Sequence, residues 1–539
     1  MISSKARYIL GSTAVAVGGG AYFVSKDEGS QRSLTFWWNV FPIFLHYRGI
    51  QFLNRDTKLM GNETADKLYS ECNDKYTDRV RDLTYSMRGF YLKQAQLMSV
   101  QDDFVPAPYM RWMKDTQDNV PSEFKPGEAI QYVRKLCSEE LGKDFDSVFS
   151  EFDEEPLGVA SIGQVHKAVL RENGKTVAVK ILVPGIEPKF RADIRTLKLF
   201  CQLAMPQHVP AFDEIERQFL TEFDYTREAA NLNTAREFSL ARWGDDIVIP
   251  EAFRNLCTKH MLIMEFLDGV KLVDGVRNQY KKLAALSGRT LEEMEKEMKD
   301  LIKSGKFEYK SVEEEKAKRA KTVQLLLLKD IYETNALRFI YNISPLRLLY
   351  GPKSYEWTEP PIDLGVTLEL LAKIQSASIF YDGFFNGDAH PGNILLLRDG
   401  RIGLIDYGQV KKMSIDERIK YAKLIVAHSR KDIEEVARIT FDELGTVTKY
   451  KRPDIAYLHS CFWNDRMTKD VMGDKNIAEF IDYIEAQDPV VILPDTYLFA
   501  ARSSVMLRGM GKAFGLELVI SPLWKQDAEL FLKSQGVKY

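Results

Sequence analysis

Four polar residues have the types and the chain order needed to handle a nucleotide and a divalent cation. Lys180 ends the apolar run VAVK, where its ammonium group can pair with phosphate oxygens. Asp388 and Asn393 stand five residues apart in GDAHPGN, and Asp406 follows in LIDYG. Carboxylate and amide oxygens are ligands for Mg²⁺, and a carboxylate can accept a proton from an attacking hydroxyl. Each segment alone could be an ordinary turn, but their order predicts a Mg–ATP site.

A turn rich in small residues precedes Lys180 in the chain. Its sequence is PLGVASIGQV, from Pro156 to Val165. Small side chains let backbone N–H groups approach phosphate oxygens closely. A purely structural hairpin would have a similar composition, so this segment supports the site only together with the other three. The residues that we expect to contact ATP here are Gly158, Val159, Ala160 and Ser161.

Hydrophobic periodicity predicts the strands that position these residues. Two β-rich runs separated by Asn173-Gly174 predict a hairpin that ends in Lys180. The run from His260 to Gly269 predicts a buried strand followed by a turn. Two further short runs, NILLL and RIGLID, flank Asp399-Gly400 and predict a second hairpin between Asn393 and Asp406.

The remaining segments are predicted to be mainly helical. Residues 53–149 show helical spacing interrupted by prolines, and residues 414–531 are largely helical as well. The shorter predictions are helices around 193–204, 212–237 and 368–381, one or two exposed amphipathic helices over 281–332, and a loop over 345–361.

Composition excludes several classes of function. The chain has 539 residues, enough for two to four folding units. Its 74 basic and 77 acidic residues give a formal net charge of −3, so no broad basic surface suited to nucleic acid is indicated. The five cysteines are far apart without a CxxC pair, which predicts free thiols and neither disulfides nor a structural zinc site.

The N-terminal region contains two apolar segments. Tyr8–Val24 carries no charge and leaves three interpretations open: a single-pass anchor, a cleaved targeting segment, or a Gly-rich tail. Phe36–Tyr47 is rich in aromatic residues. It is interpreted either as a helix packed on the body of the protein or as a segment lying in a membrane interface.

Several segments carry a family resemblance. VASIGQVHKA is similar to an alanine-rich loop that replaces the usual glycine-rich loop, and Leu92–Gln96 is similar to a KxGQ motif. Glu222–Asp224 resembles an ExD motif, and Arg227–Asn231 resembles the EAxN that follows it. GFFNGDAHPGN and LIDYG match catalytic and metal loops. The chain thereby resembles the UbiB, or aarF-domain-containing, atypical kinases, with mitochondrial or plastid members the closest in kind, over about Thr35 to Gly515.

The resemblance implies an α+β, bilobal protein-kinase-like fold. A small β-rich N-lobe and a helical C-lobe would follow a helical N-terminal extension. The implied segments are a targeting or transmembrane segment (1–34), the extension (35–150), the N-lobe (151–270), a helical insertion (271–365) and the C-lobe (366–539).

The resemblance also implies a role for each matching residue. Lys180 should pair with Glu228, and Lys93 of the extension should meet Glu222 and Asp224 over the active site. Gln96 should hold the extension in place. The implied catalytic residues are Asp388, Lys180, Glu228, Lys93, Glu222 and Asp224. The implied adenine-contacting hinge is Met264, Glu265 and Phe266, and the implied Mg²⁺ ligands are Asn393 and Asp406.

Three departures from the family or kinase pattern bear on function. Ala95 replaces the glycine of the KxGQ motif. Asn386 stands where the family often has histidine, and we expect it to substitute by hydrogen bonding. No APE motif follows Asp406, and a helical pattern resumes at Ser414. A peptide-docking activation segment is therefore missing, which favours a lipid or small-molecule acceptor, or ATP hydrolysis that drives another process.

The leading hypothesis is a Mg–ATP-dependent atypical kinase or ATPase in isoprenoid-quinone (coenzyme Q) or membrane-lipid homeostasis. The expected partners are membrane lipids or a quinone-like lipid, at the mitochondrial inner membrane or, alternatively, a plastid membrane. The alternatives are a small-molecule phosphotransferase of the aminoglycoside/choline-kinase type, or a nucleotide-sensing scaffold without turnover.

The insertion has two interpretations. It is either a solvated helical excursion or an arm that binds a membrane or a protein partner. The apolar runs Leu325–Leu328 and Leu337–Tyr350 suggest the arm.

Overall fold

The structure is a computed structural model with mixed helices and sheets. It divides into two compact units, the first comprising residues 1–233 and 251–266 and the second comprising residues 234–250 and 267–539. The residues that it describes are 27–99, 105–116, 120–204, 216, 219–286, 288–304, 307–388 and 390–539.

Helices make up most of the described residues. Those of the first unit are α1 (Glu28–Gln51), α2 (Asn62–Met87), α3 (Gly89–Met98), α4 (Ala107–Asp115), α5 (Glu128–Glu140), α6 (Phe145–Val148) and α7 (Ile186–Ala204), and α8 (Tyr225–Trp243) begins in it. Those of the second unit are α9 (Leu272–Leu286), α10 (Leu291–Lys303), α11 (Val312–Lys329), α12 (Ala336–Ile343), α13 (Leu346–Tyr350), α14 (Leu364–Ala377), α15 (Ile415–Arg430), α16 (Ile433–Arg438), α17 (Pro453–Asn464), α18 (Lys469–Met472), α19 (Ile477–Gln487), α20 (Asp495–Ala513) and α21 (Ile520–Ser534).

The strands are short and belong to small sheets. They are β1 (Phe149–Phe152), β2 (Gly158–Val159), β3 (Gly163–Leu170), β4 (Thr176–Leu182), β5 (Ile247–Val248), β6 (Met261–Glu265), β7 (Gly269–Lys271), β8 (Phe384–Asn386), β9 (Ile394–Leu397), β10 (Ile402–Leu404), β11 (Val410–Lys412), β12 (Val447–Thr448) and β13 (Val490–Ile492).

The first unit is built on an antiparallel sheet with the order β1-β3-β4-β6, and β2 also pairs with β3. The predicted hairpin is confirmed, because β3 and β4 turn at Gly174, whose φ is +67°. Val179 and Ile181 are fully buried in a core shared with α5. Since side chains alternate along a strand, Lys180 lies on the opposite face of the sheet from these two.

The helix α1 packs on the body of the first unit. Phe36 is buried in a cluster with Tyr91 of α3 and with partly buried Phe200 of α7. Arg32 of α1 donates to Asp193 of α7 from Nε, at 2.9 Å, and the Asp193 side chain is 1 % exposed. The packed-helix interpretation of residues 36–47 is therefore the one that the structure supports, although one aromatic residue, Trp38, is 80 % exposed.

The second unit contains the sheet β5-β10-β9-β7 and the two-stranded antiparallel sheet β8-β11, surrounded by helices. The predicted strands around Asp399-Gly400 are confirmed as β9 and β10. Trp524 of α21 is fully buried and donates from its indole to the carbonyl of Ala372 on α14, at 2.8 Å. The core thus packs α14 against α21, and α14 is the helix that precedes β8 and the loop after it.

Three predictions of secondary structure differ from the structure. The predicted helix 212–237 is interrupted, because residues 221–223 form a 3-10 turn and α8 begins only at Tyr225. The span 281–332 holds part of α9 and all of α10 and α11, with a capping box at Thr290 and another at Ser311. The predicted loop 345–361 contains the short helix α13. Side-chain caps mark the starts of α8, α10 and α11, and apolar periodicity alone does not detect such caps.

The N-terminal apolar segment Tyr8–Val24 lies outside the described residues. Among the helices that the structure describes, none is both long enough and apolar enough to cross a membrane.

A buried histidine makes the stability of the second unit dependent on pH. His428 is 1 % exposed, its Nε2 lies 2.8 Å from Ser460 Oγ, and burial lowers its pKa to about 4. The unfolded chain takes up this proton near pH 6.5, so the free energy of unfolding falls as the pH drops from about 6.5 to about 4. We expect a loss of about 3 kcal/mol from this group. Urea unfolding at pH 7 and pH 4.5 measures this loss of the free energy of unfolding. His428→Gln should remove the part of the pH dependence that this histidine contributes.

Candidate active site

The candidate site of the first unit centres on an ion pair between β4 and α8. Lys180 Nζ lies 2.8 Å and 3.0 Å from the two carboxylate oxygens of Glu228. The Glu228 side chain is 5 % exposed and that of Lys180 is 17 % exposed. Lys180 also lies 5.2 Å from the ring centre of Tyr225. The pair predicted from the sequence is thus formed, and it fixes where the ammonium group is held.

The predicted phosphate loop is a tight turn between β2 and β3. Ala160 N donates to Gly163 O at 2.8 Å, and Val183 N donates to Ile162 O at 2.9 Å. A Cβ added at Gly163 would lie 2.4 Å from Ile181 O, so only glycine fits there. Among the four residues predicted to contact ATP, Ser161 is 4 % exposed and Ala160 is exposed. Contact of these four residues with ATP phosphates stays a prediction.

A chain of hydrogen bonds ties the phosphate loop to the N-terminal extension. Ser122 Oγ donates to Gln164 Oε1 at 2.7 Å, and Gln164 Nε2 lies 2.7 Å from His166 Nε2. His166 Nδ1 lies 2.8 Å from Asp153 O, so the ring donates at Nδ1 and accepts at Nε2. Burial lowers the pKa of His166, which keeps it neutral in this role. Sequence reasoning assigned no role to Gln164 or His166.

Lys93 lies near one of the two acidic residues predicted for it, Glu222, and follows a sharp turn in the chain. Between α2 and α3, Arg88 and Gly89 both have positive φ, +53° and +46°. Arg88 is held there by Glu123, at 2.7 Å. From α3, Lys93 Nζ lies 3.7 Å from Glu222 Oε1 and 5.4 Å from the ring centre of Phe219.

Two other predicted residues of this motif have local partners. The carboxylate of Asp224 accepts from Thr226 N at 3.0 Å and Thr226 Oγ1 at 2.6 Å, so it caps α8 ahead of Glu228. Gln96 Nε2 donates to Thr116 O at 2.8 Å, which fastens α3 to the end of α4 as predicted. Contact of Asp224 with Lys93 stays a prediction.

The predicted hinge forms the end of β6 and the residue beyond it. Met264 pairs with Ala178 and Glu265 with Val177 on β4. Phe266 N donates to Thr176 O at 3.3 Å. The first unit ends at Phe266, so the chain passes into the second unit immediately after the hinge.

In the second unit, Asn386 joins the catalytic loop to the metal loop. Its Nδ2 donates to Asp406 O at 2.7 Å, and its Oδ1 accepts from Asp388 N at 2.8 Å. Gln375 Nε2 donates to Asn386 O at 3.2 Å. Asn386 thus makes hydrogen bonds of the kind expected of it, and its substitution for histidine stays a prediction.

The candidate catalytic carboxylate has a partner that sequence reasoning missed. Arg502 Nη2 of α20 lies 3.2 Å from Asp388 Oδ1, and the Asp388 side chain is 15 % exposed. Arg502 follows Asp388 by 114 residues, so no local motif could have linked them. The only indication of this contact in the sequence was the presence of an arginine in a helical segment of the C-terminal region.

Asn393 and Asp406 are the residues that could hold Mg²⁺. Ile405 N donates to Asn393 O at 3.2 Å, so the backbone links the two loops. Asp406 Oδ1 accepts from Gly408 N at 3.0 Å, which orients the carboxylate. Both residues line one pocket that is otherwise largely apolar, with Leu404 and Met510 among its walls. An amide oxygen and a carboxylate fit the hard-oxygen preference of magnesium.

The chain was compared with models of known protein families, and one family matches it. The model of the ABC1 atypical kinase-like domain matches residues 117–302 and 359–440. The chain belongs to the ABC1 atypical kinase-like family. The bilobal kinase-like fold implied by the sequence is thereby confirmed. The match omits residues 303–358, which include α11, α12 and α13.

Several proteins are similar to this ABC1 chain. An uncharacterized protein of Synechocystis is 26 % identical over 68 % of this chain and 74 % of its own length. The Arabidopsis thaliana protein ACTIVITY OF BC1 COMPLEX KINASE 1, chloroplastic, is 26 % identical over 69 % of this chain, which covers 43 % of that relative. A probable protein kinase UbiB of Aeromonas salmonicida is 32 % identical over 36 % of each chain. The solved complex of Rv3197 with erythromycin from Mycobacterium tuberculosis is 19 % identical over 85 % of this chain and 97 % of its own, with a TM-score of 0.42.

Proposed function

We propose that this ABC1 chain binds Mg–ATP and transfers or hydrolyses its terminal phosphate at an organelle membrane. The observation that carries the proposal is the ion pair of Lys180 with buried Glu228, at 2.8 Å. In the kinase fold that pair places the ammonium group on the nucleotide phosphates. A lysine that merely solvated a strand end would have no need of a buried carboxylate.

Each remaining residue has a role in this proposal. Asp388 orients the attacking hydroxyl or water and accepts its proton. Arg502, 3.2 Å from Asp388, fixes the rotamer of that carboxylate. Asn393 and Asp406 would hold the metal, which when bound neutralises charge on the phosphates. Asn386 keeps the two loops in register through its paired hydrogen bonds.

The acceptor is proposed to be a lipid or a small molecule. Asp406 is followed by β11 and then by α15, which begins at Ile415 with Ser414 as its cap. This leaves little chain for the segment that docks peptides in protein kinases. We extend the proposal to isoprenoid-quinone (coenzyme Q) or membrane-lipid homeostasis, because relatives named UbiB share the domain.

The organelle is proposed from the sequence and from the relatives. The uncharged segment Tyr8–Val24 suits targeting or anchoring. An Arabidopsis relative is named chloroplastic. We place the mitochondrial inner membrane first and a plastid membrane second. Fusing residues 1–34 to a fluorescent reporter tests this, and a diffuse cytosolic signal would contradict it.

One contact weighs against the small-molecule phosphotransferase of the aminoglycoside/choline-kinase type. Such enzymes also lack the peptide-docking segment, but they do not carry the Lys93 and ExD elements. Lys93 lies 3.7 Å from Glu222 here. This contact supports a role of the extension in the predicted site and favours the ABC1 type of activity.

Phosphate release by the purified full chain tests the proposed function. The assay uses Mg–ATP with and without vesicles and quinone-like lipids, and Asp406→Asn is the inactive control. We expect Mg²⁺-dependent release that lipid stimulates and that the control lacks. Thermal stabilisation by Mg–ATP without release under every additive would show a nucleotide-sensing scaffold. The absence of both release and stabilisation would overturn ATP binding itself.

A further inference from the structure

Residues 325–358 form an arm in the second unit with an unusual distribution of polarity. The arm consists of the end of α11, a π-turn (Asp330–Asn335), α12, α13 and the loop that returns to Thr358. Its large apolar and aromatic side chains point outward. Those with 69 % to 89 % of their surface exposed are Tyr332, Leu337, Ile343, Leu348, Leu349 and Tyr350.

The polar side chains at the base of the arm point inward. Asp330 is 4 % exposed and accepts from Thr358 N at 2.6 Å and Thr358 Oγ1 at 2.7 Å. Asn335 is 5 % exposed and exchanges two hydrogen bonds with the backbone of Glu356, at 2.7 Å and 2.9 Å. These hydrogen bonds connect the return loop to the π-turn and satisfy backbone polar groups of the return loop.

The same distribution, with polar side chains inward and apolar side chains outward, continues along α12. Asn342 exchanges two hydrogen bonds with the backbone of Lys353, each at 2.8 Å, and Arg338 donates to Ser354 O at 2.6 Å. Leu337 and Ile340 fall on the opposite side of the helix from these polar residues, since 3.6 residues make a turn. Polar groups therefore face the protein, and the apolar face is the exposed one.

Water penalises this arrangement, whereas an apolar solvent favours it. Exposed apolar surface costs free energy in water roughly in proportion to its area. Contiguous exposed patches of this kind mark a binding surface. In lipid, backbone and polar side chains must instead be satisfied inside the protein, as they are at Asp330, Asn335 and Asn342. The arm also falls within residues 303–358, which the family domain omits.

Charges and aromatic rings around the apolar residues fit an anionic bilayer better than a protein partner. The exposed charged residues of the arm are Lys329, Arg347 and Lys353 against Glu333 and Glu356, and the charge of Glu356 is paired with Arg338. Arg347 sits within LRLLY, where its long side chain can reach lipid phosphates while its neighbours enter the acyl region. Tyr350 and Trp357, both more than half exposed, are the residue types that anchor at a membrane interface.

We propose that the arm docks the second unit on an anionic lipid surface, with α12 and α13 lying in the interface. Leu337, Ile343 and Leu348 enter the acyl region, and Arg347 binds headgroup phosphates. The eight residues of α12 span about 12 Å, so it lies along the surface and does not cross it. This inference rests on the proposed membrane association and is independent of ATP turnover.

A fluorescent probe on the arm tests the proposal. NBD is attached to Leu348→Cys in the full chain, with half-buried Cys257 replaced by serine because the other four thiols are buried. Vesicles of phosphatidylcholine and phosphatidylglycerol should raise and blue-shift the fluorescence, and spin-labelled lipid should quench it. The matched control is Leu530→Cys on α21 of the same unit, 50 % exposed, which should not respond.

Substitution of the apolar face supplies the second readout. The triple variant Leu337→Ser, Ile343→Ser, Leu348→Ser should weaken vesicle affinity about tenfold or more. A control triple at exposed apolar positions elsewhere in the unit should not; its substitutions are Ile415→Ser, Ile433→Ser and Leu530→Ser.

Two outcomes would overturn docking on a bilayer. Vesicle binding without any response at position 348 would assign binding to another part of the chain. A probe signal that rises with protein concentration in the absence of lipid would assign the arm to a second copy. Phosphate release measured without vesicles is unaffected by either outcome, so failure of the arm and failure of ATP turnover are separable.

Discussion

Replacing Lys180 by Met is expected to lower ATP turnover between about a hundredfold and a thousandfold, as loss of a preorganised charged donor does elsewhere. The same change should also destabilise the first unit by about 3 kcal/mol, because it takes the ammonium group away from a buried carboxylate. That carboxylate is Glu228, with 5 % of its side chain exposed. Steady-state phosphate release and urea unfolding measure the two effects on one protein sample.

A double variant separates catalysis from stability at this pair. Lys180→Met with Glu228→Gln removes both charges, so most of the lost stability should return while turnover stays low. Lys135→Met is the surface control, since the Lys135 side chain is 61 % exposed on α5. Recovery of turnover in the double variant would show that the pair is structural only. It would refute the proposed role of Lys180 in binding the nucleotide phosphates.

Removing the Asn386 side chain is expected to reduce turnover about tenfold to a hundredfold and to raise the Mg²⁺ concentration needed for half-maximal rate. Asn386→Ala deletes the bond to Asp406 O at 2.7 Å and the bond from Asp388 N at 2.8 Å. Both loops then lose the side chain that sets their separation. The free energy of unfolding should fall by about 1–3 kcal/mol, because buried polar groups lose their partners.

Two conservative variants show which of these bonds matters. Asn386→Asp keeps an acceptor for Asp388 N but replaces the donor to Asp406 O with a second carboxylate. It should therefore impair the Mg²⁺ dependence more than it impairs folding. Asn386→His restores the residue type common in related kinases and should recover most of the turnover. Unchanged Mg²⁺ dependence in Asn386→Ala would refute the bridging role.

The parts of the site that follow each other along the chain were predictable from the sequence. The β3-β4 hairpin depends on local patterns, namely a turn at Asn173-Gly174 and alternating apolar residues. Such patterns are set by backbone geometry over a few residues. They are visible in a single sequence because each element carries its own signal. The pairing of Lys180 with Glu228 was instead implied by the family resemblance of the motif at the start of α8.

The parts that depend on distant packing were not predictable. Arg502 meets Asp388 only because α20 packs in the helical core of the second unit, and no spacing encodes that contact. The Ser122–Gln164–His166 chain likewise joins segments that are far apart in sequence. Helix ends were also mispredicted where a cap or a turn interrupts a helical pattern of apolar residues, as at Asp224 ahead of α8.

The ion pair of Arg32 with Asp193 constrains how the chain can be matured. Asp27 caps α1 by accepting from Ser30 N at 2.7 Å, and five residues later Arg32 neutralises a carboxylate that is 1 % exposed. A peptidase that cut after residue 32 would leave that charge buried in the folded unit without its guanidinium, at a cost of several kcal/mol. Removal of a leader is therefore compatible with a stable first unit only when the cleavage site lies upstream of Arg32, and a site upstream of Asp27 also keeps the cap of α1. The N-terminal sequence of the protein isolated from its native source tests this directly.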